Sequence, residues 1–175
     1  MVVWFVGMSA AGKSVLSKLV YDDLKNIIPN VVLLDGDVLR QVFGNDSDHT
    51  VEGREKNARR LSNLSKFLAD QDIHVVAAVL SIFPEWQMWN RDNIKDYVQI
   101  YIKVPFDVLV ERETKDLYKN ALDGKVENVV GVDIKFPEPV ENDLIIDNSQ
   151  DKENFNSYVQ NILSIDVISK VLDQQ

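Results

Sequence analysis

Residues 2–14 read Val2-Val3-Trp4-Phe5-Val6-Gly7-Met8-Ser9-Ala10-Ala11-Gly12-Lys13-Ser14. An apolar run passes into a segment that fills the pattern G-x-x-x-x-G-K-[ST], and a helical stretch follows. Strand, glycine loop and helix stand in the order that anion binding requires. The loop's backbone N–H groups converge on a helix N-terminus, where the helix dipole also favours negative charge. In such a loop Gly7, Ser9, Ala10, Ala11 and Gly12 form the cradle for ATP, Lys13 reaches the β- and γ-phosphates, and the Ser14 hydroxyl ligates Mg²⁺. The plain alternative is a chance glycine turn before a helix. It has to account for four filled positions and for the flanking strand and helix as well.

Working outward, the chain has 175 residues, 45% hydrophobic and 27% charged, which suits one soluble domain with a real core over residues 1–175. There is no cysteine, so disulfides, thiolate metal sites and a cysteine nucleophile are excluded. The formal charge of −9 argues against broad binding to nucleic acid or an anionic membrane. A phosphorylated substrate therefore needs a local Arg/Lys cluster set against the global field. No basic segment precedes the first strand and no apolar run approaches about 18 residues, so the expectation is a cytoplasmic protein without leader or membrane span.

Short apolar runs alternate with helical stretches, the pattern of an α/β fold in three layers: a mostly parallel sheet with helices on both faces. The spacing predicts a helix over 13–28 with Val15, Leu16, Leu19, Val20 and Leu24 on one face, ended by Pro29. Strands are expected at 31–34, 74–80, 98–104 and 144–146, and helices over 54–69 and 154–172. Segments 44–53 and 122–141 are polar or rich in Gly and Pro and show no periodicity, which marks them as candidate lids.

In open parallel sheets, ligands bind beyond the carboxyl ends of the strands. The second such edge carries Asp35, Gly36, Asp37 and, a turn later, Arg40. Carboxylates beside a phosphate loop suit a metal and proton transfer from a hydroxyl, and Arg40 suits an anionic acceptor. Asp37 also reads as the N-cap of the next helix. The third edge carries Ser81, as consistent with a turn as with a substrate contact. Arg54 and Asn57, three apart, share a helical face and could grip one anion; a solvated face paired with Glu52 and Glu55 is the alternative. A second basic cluster, Arg112, Lys115 and Lys119, suits a lid over the nucleotide. His49 and His74 have no partners at metal-ligand spacing, and His74 reads as structural.

These residues together resemble the adenylyl-sulfate kinase (APS kinase) family. The resemblance runs from residue 2 to about 147 through the phosphate loop, Leu34-Asp35-Gly36-Asp37-Val38-Leu39-Arg40, Arg54-Glu55-Lys56-Asn57-Ala58-Arg59-Arg60, the Ser81 edge, Glu111-Arg112, Leu117-Tyr118-Lys119 with Ala121, and Gly131-Val132-Asp133. It implies a P-loop kinase that transfers the γ-phosphoryl of ATP to the ribose 3′-hydroxyl of a nucleotide derivative, with Mg²⁺ and, in quaternary structure, a homodimer. By the same resemblance Asp37, Arg40, Arg54, Asn57 and Lys119 bind the acceptor, Lys13, Ser14 and Arg112 serve ATP, Ser14 and Asp35 serve the metal, Asp35 is nearest the nucleophile, and Ser81 occupies the place of an active-site serine.

Two departures stand out. The family's two phenylalanines, which sandwich the acceptor's adenine, correspond here to Asp48-His49-Thr50 and Asn128-Val129-Val130, placing His49 and Val129 at the pocket walls. An aromatic wall contributes about 1–3 kcal/mol per stacked base, so adenine loses grip unless another ring such as Phe136 or Trp86 takes the place. The basic residues usual after the Ser81 edge are also replaced, by Phe83-Pro84-Glu85-Trp86. Intact transfer machinery beside an altered acceptor pocket points toward a different acceptor, and the relative with such chemistry is the cytidine diphosphoramidate kinase of capsule synthesis. A nucleotide-binding regulatory protein is the non-enzymatic alternative, but simple ATP binding requires none of Asp37, Arg40, Arg54 and Asn57.

Overall fold

The computed structural model describes residues 1–150 and 155–174. Its centre is a sheet of five parallel strands, β1 (Val2–Val6), β2 (Val31–Asp35), β3 (His74–Val79), β4 (Tyr97–Lys103) and β5 (Leu144–Asp147), in the order β2-β3-β1-β4-β5. β1 lies in the middle, with Val2 opposite Val75 on one side and Tyr97 on the other. That position explains an unbroken apolar run: every residue of β1 is buried, and both faces are covered. Side chains alternate across the sheet. Val3 and Phe5 join one core with Leu16, Val20 and Leu24 of α1 (Lys13–Ile27) and with Ile162 and Ile168. Val2, Trp4 and Val6 join the other, with Leu61 of α3 (Val51–Ala69).

The expected strands are all present, and β2 extends one residue further, to Asp35. α1 stops at Ile27, because Ile28 is extended ahead of Pro29. Val15 departs from the expected apolar face. It is 53% exposed and stands at the mouth of a cleft. A short helix α2 (Gly36–Val42) follows β2, and its N-cap is Asp35, whose carboxylate accepts from the N–H groups of Asp37 and Val38. Capping by Asp37 is therefore corrected by two residues. α3 begins earlier than expected, capped by the Thr50 hydroxyl on Gly53 N–H, so the first candidate lid ends at residue 50.

Helices α4 (Pro84–Asn93), α5 (Phe106–Arg112) and α6 (Leu117–Leu122) fill stretches that had no assigned element. The closing helix is two, α7 (Asn156–Leu163) and α8 (Asp166–Leu172), broken at Ser164 and Ile165; the expected start at residue 154 lies outside the described residues. No helix among the described residues is long and apolar enough to cross a membrane.

Candidate active site

The carboxyl ends of β1, β2 and β3 open into a cleft of about 780 Å³. On one side lies the phosphate loop. Gly7 is required by the closeness of β4: a Cβ there would stand 2.7 Å from the Ile102 carbonyl oxygen. Gly12 has φ 99°, and a Cβ would also meet the Asn148 amide nitrogen at 2.9 Å. Lys13 folds back over the loop, its ammonium donating to the Met8 carbonyl at 2.6 Å. Burial pulls that ammonium down to about 8, against the opposing pull of Asp37 and Asp35. The Ser14 hydroxyl donates to Asp35 Oδ2 at 2.8 Å, while Asp35 Oδ1 accepts from Asp37 N (2.9 Å) and Val38 N (3.3 Å).

Both oxygens of Asp35 are thus engaged. The Asp37 carboxylate accepts no hydrogen bond from the described residues, yet its charge acts on Lys13, His49 and Arg54. It stands between the phosphate loop and the basic wall opposite.

That opposite wall is built by α2, α3 and two loops. Arg40 Nη1 donates to the Ser47 and Asp48 carbonyls at 2.7 and 2.6 Å. Arg54 donates from Nε to the His49 carbonyl and from Nη2 to the Asn128 carbonyl, both at 2.8 Å, so one guanidinium ties the two candidate lid loops together. Burial and then the nearby Arg40 charge lower the Arg54 pKa, with Asp37 and Asp133 opposing. Partial burial, followed by Arg40 and Arg54, holds the His49 imidazole below its ordinary range, so it is mainly neutral at pH 7. Asn57 donates to the Gly36 carbonyl at 3.2 Å, and its buried Oδ1 has no partner among the described residues. Val129 is buried, held by Asp133 Oδ1 on its N–H at 2.6 Å.

The structure brings most expected residues to one cleft. Ser9, Ala10, Gly12, Lys13 and Ser14 line it from the loop, Asp35 and Asp37 from the edge of β2, Arg40, His49, Arg54, Asn57 and Val129 from the far wall, and Arg112 from the end of α5. Gly7 and Ala11 sit behind the loop surface and not in the lining. Ser81 is 1% exposed, its hydroxyl has no partner among the described residues, and it too lies outside the lining. Lys119 is exposed, pairs with Asp116 at 3.1 Å and does not reach the cleft.

Asn128, expected at the pocket wall, lines it as well, whereas sequence reasoning passed over Glu113 and Thr114, which also line it. The turn after Arg112 was the available signal for both. Phe136 packs on Tyr101 (centroids 6.2 Å) and Trp86 on Trp89 (5.7 Å), and neither ring enters. Among the described residues, no Phe, Tyr or Trp lines the cleft.

A phosphate loop at the end of a central parallel strand, facing two arginines and a free carboxylate across one cleft, defines a P-loop phosphotransferase. The chain belongs to the adenylylsulphate kinase family, whose family model matches residues 1–147. It is accordingly an ATP-dependent nucleotide kinase. Among its relatives, the cytidine diphosphoramidate kinase of Campylobacter jejuni is 38% identical over 148 residues, 85% of this chain and 86% of that protein. The adenylyl-sulfate kinase of Oceanobacillus iheyensis is 30% identical, covering 93% and 81% of the two chains. The Mycobacterium tuberculosis APS kinase, solved in complex with AMPPNP and APS, superposes with a TM-score of 0.82 at 28% identity, covering 94% and 95%.

Proposed function

We propose that this chain transfers the γ-phosphoryl group of ATP to the ribose 3′-hydroxyl of a nucleotide carrying a small base, with cytidine diphosphoramidate preferred over adenylyl sulfate. The observation that carries the acceptor half is the lining of the cleft. The walls offered to the base are His49, Asn128 and Val129, with no Phe, Tyr or Trp among the described residues for a purine to stack on. A neutral imidazole and an amide can hydrogen-bond a pyrimidine edge. Discrimination of that kind is sharp where the bound base covers those groups, because a wrong base then leaves them unpaired. The Campylobacter jejuni relative, named for that acceptor, supports the same reading.

Phosphoryl transfer needs positioning and charge neutralisation more than covalent chemistry. Lys13 stabilises charge on the transferred group, and Arg40 and Arg54 hold the acceptor's anionic part through the N–H groups not given to loop carbonyls. Ser14 Oγ and Asp35 Oδ2, 2.8 Å apart, are a hard oxygen pair suited to Mg²⁺. No cluster of three or more His, Cys, Asp or Glu stands among the described residues, which fits an ion that takes its other ligands from phosphates and water. Bound there, Mg²⁺ supplies charge neutralisation of the β- and γ-phosphates. Asp35 serves the metal side and stands nearest the attacking hydroxyl, and Asp37 belongs to the acceptor side of the cleft.

The test is kcat/KM for cytidine diphosphoramidate and for adenylyl sulfate, measured side by side with the 3′-phosphorylated product identified by mass spectrometry. A preference for the cytidine compound is expected. A clear preference for adenylyl sulfate overturns the acceptor assignment, and ATP turnover without either product overturns the transfer reading.

A further inference from the structure

We propose that Tyr118 and Asn148 are positioning residues for ATP, each holding one carbonyl of the phosphate loop from behind so that the next N–H is turned toward the phosphates. In a trans peptide the carbonyl of one residue and the N–H of the next point in opposite directions. Tyr118 Oη donates to the Ser9 carbonyl at 3.1 Å, which directs the Ala10 N–H away from α6. Asn148 Nδ2 donates to the Ala11 carbonyl at 3.0 Å, which directs the Gly12 N–H away from the end of β5. Neither N–H has a hydrogen-bond partner among the described residues, and both Ala10 and Gly12 line the cleft. Both also have positive φ, 61° and 99°. Successive backbone groups turned this way form an anion-binding concavity, and a loop in left-handed conformation keeps that shape only where its surroundings hold it.

Both anchors are rigid. Tyr118 is 1% exposed and packs edge-on against Phe106, with centroids 5.1 Å apart. Burial pushes its hydroxyl up to about 12, so it remains a donor at any working pH. Asn148 is also buried. Its own N–H bonds to the Lys103 carbonyl at 3.0 Å, and its carbonyl receives Arg112 Nη1 at 2.5 Å. One residue therefore connects the loop to the cation at the end of α5. A Tyr and an Asn lying 109 and 137 positions from the carbonyls they hold do for the loop what its own sequence does not.

The proposal rests on the assignment of this loop to ATP, and Lys13→Ala is the control for that assignment. Tyr118→Phe removes only the hydroxyl and keeps the ring against Phe106. Asn148→Asp keeps the shape and replaces the donor by an acceptor. Calorimetric binding of AMPPNP and the KM values for ATP and for acceptor are measured for each. Each variant is expected to raise the AMPPNP Kd and the ATP KM about tenfold, the loss one hydrogen bond supports, with acceptor KM unmoved. A lowered Tm with AMPPNP affinity unchanged in Tyr118→Phe means a structural role only and overturns the proposal; that variant decides the matter alone if Asn148→Asp does not fold. Unimpaired AMPPNP binding by Lys13→Ala overturns the ATP assignment itself.

Discussion

The two walls of the cleft are held in opposite ways. The phosphate loop is fixed from outside by side chains that belong to no substrate, with Tyr118 and Asn148 on its carbonyls and β4 against Gly7. The acceptor wall is fixed by the residues expected to bind the substrate, since Arg40 and Arg54 are themselves the fasteners of loops 44–50 and 122–141. A wall whose binding groups are separate from its supports keeps its shape whatever the substrate. A wall whose binding groups are its supports changes when those residues, or the loops they hold, change. The proposed change of acceptor beside intact transfer machinery rests on that difference.

The largest effect is expected on the first wall. Lys13→Ala abolishes phosphoryl transfer while circular dichroism shows an intact fold, because the charge on the transferred group loses its main stabiliser; near-normal turnover breaks the comparison outright. Asp35→Asn follows. It disturbs the Ser14 contact and the metal side together, and kcat falls by roughly 10²-fold or more with a smaller change in ATP affinity. An unchanged kcat at saturating substrates removes Asp35 from the mechanism.

On the second wall, Arg40→Ala or Arg54→Ala raises the acceptor KM by roughly 10–100-fold, as the loss of a charge-assisted contact implies, and leaves ATP binding close to normal. The reverse pattern in steady-state kinetics refutes the division of the cleft. The smallest effect sharpens it. His49→Phe restores one aromatic wall and improves kcat/KM for adenylyl sulfate by about fivefold or more, at the expense of the cytidine acceptor. No gain toward adenylyl sulfate means that the wall at residue 49 does not read the base.

The first wall was legible because anion binding fixes residue types at fixed spacing: Gly12, Lys13 and Ser14 carry their role in the pattern itself. The strands were legible for a related reason, since a fully covered parallel strand must be apolar throughout. α5 and α6 were not, being seven and six residues long, too short for a periodic signal to build up. The assignment of the α2 cap failed because Asp35 and Asp37 are equivalent in sequence, and only the extra residue of β2 decides which stands outside the helix. Phe136 and Trp86 could be named as rings, but whether they reached the cleft depended on Tyr101 and Trp89, which hold them elsewhere. Tyr118 as a support, and Asn148 altogether, had no local signal at all. A contact spanning more than a hundred residues leaves none.

β1 precedes the other four described strands in sequence, lies at the centre of the sheet and carries the loop. During synthesis it leaves the ribosome with neither neighbour, and both flanks close only after β4 has emerged, at residue 103. The last support for the loop arrives later still, with Asn148. A nascent chain therefore displays a strongly apolar strand that has no partner until β3 is made and one open flank until β4 follows, the kind of segment that chaperones guard. Nucleotide cannot rescue it, because a ligand stabilises by mass action only the state it binds. Growth at higher temperature or faster expression should thus expose this protein to aggregation before ATP has anything to hold.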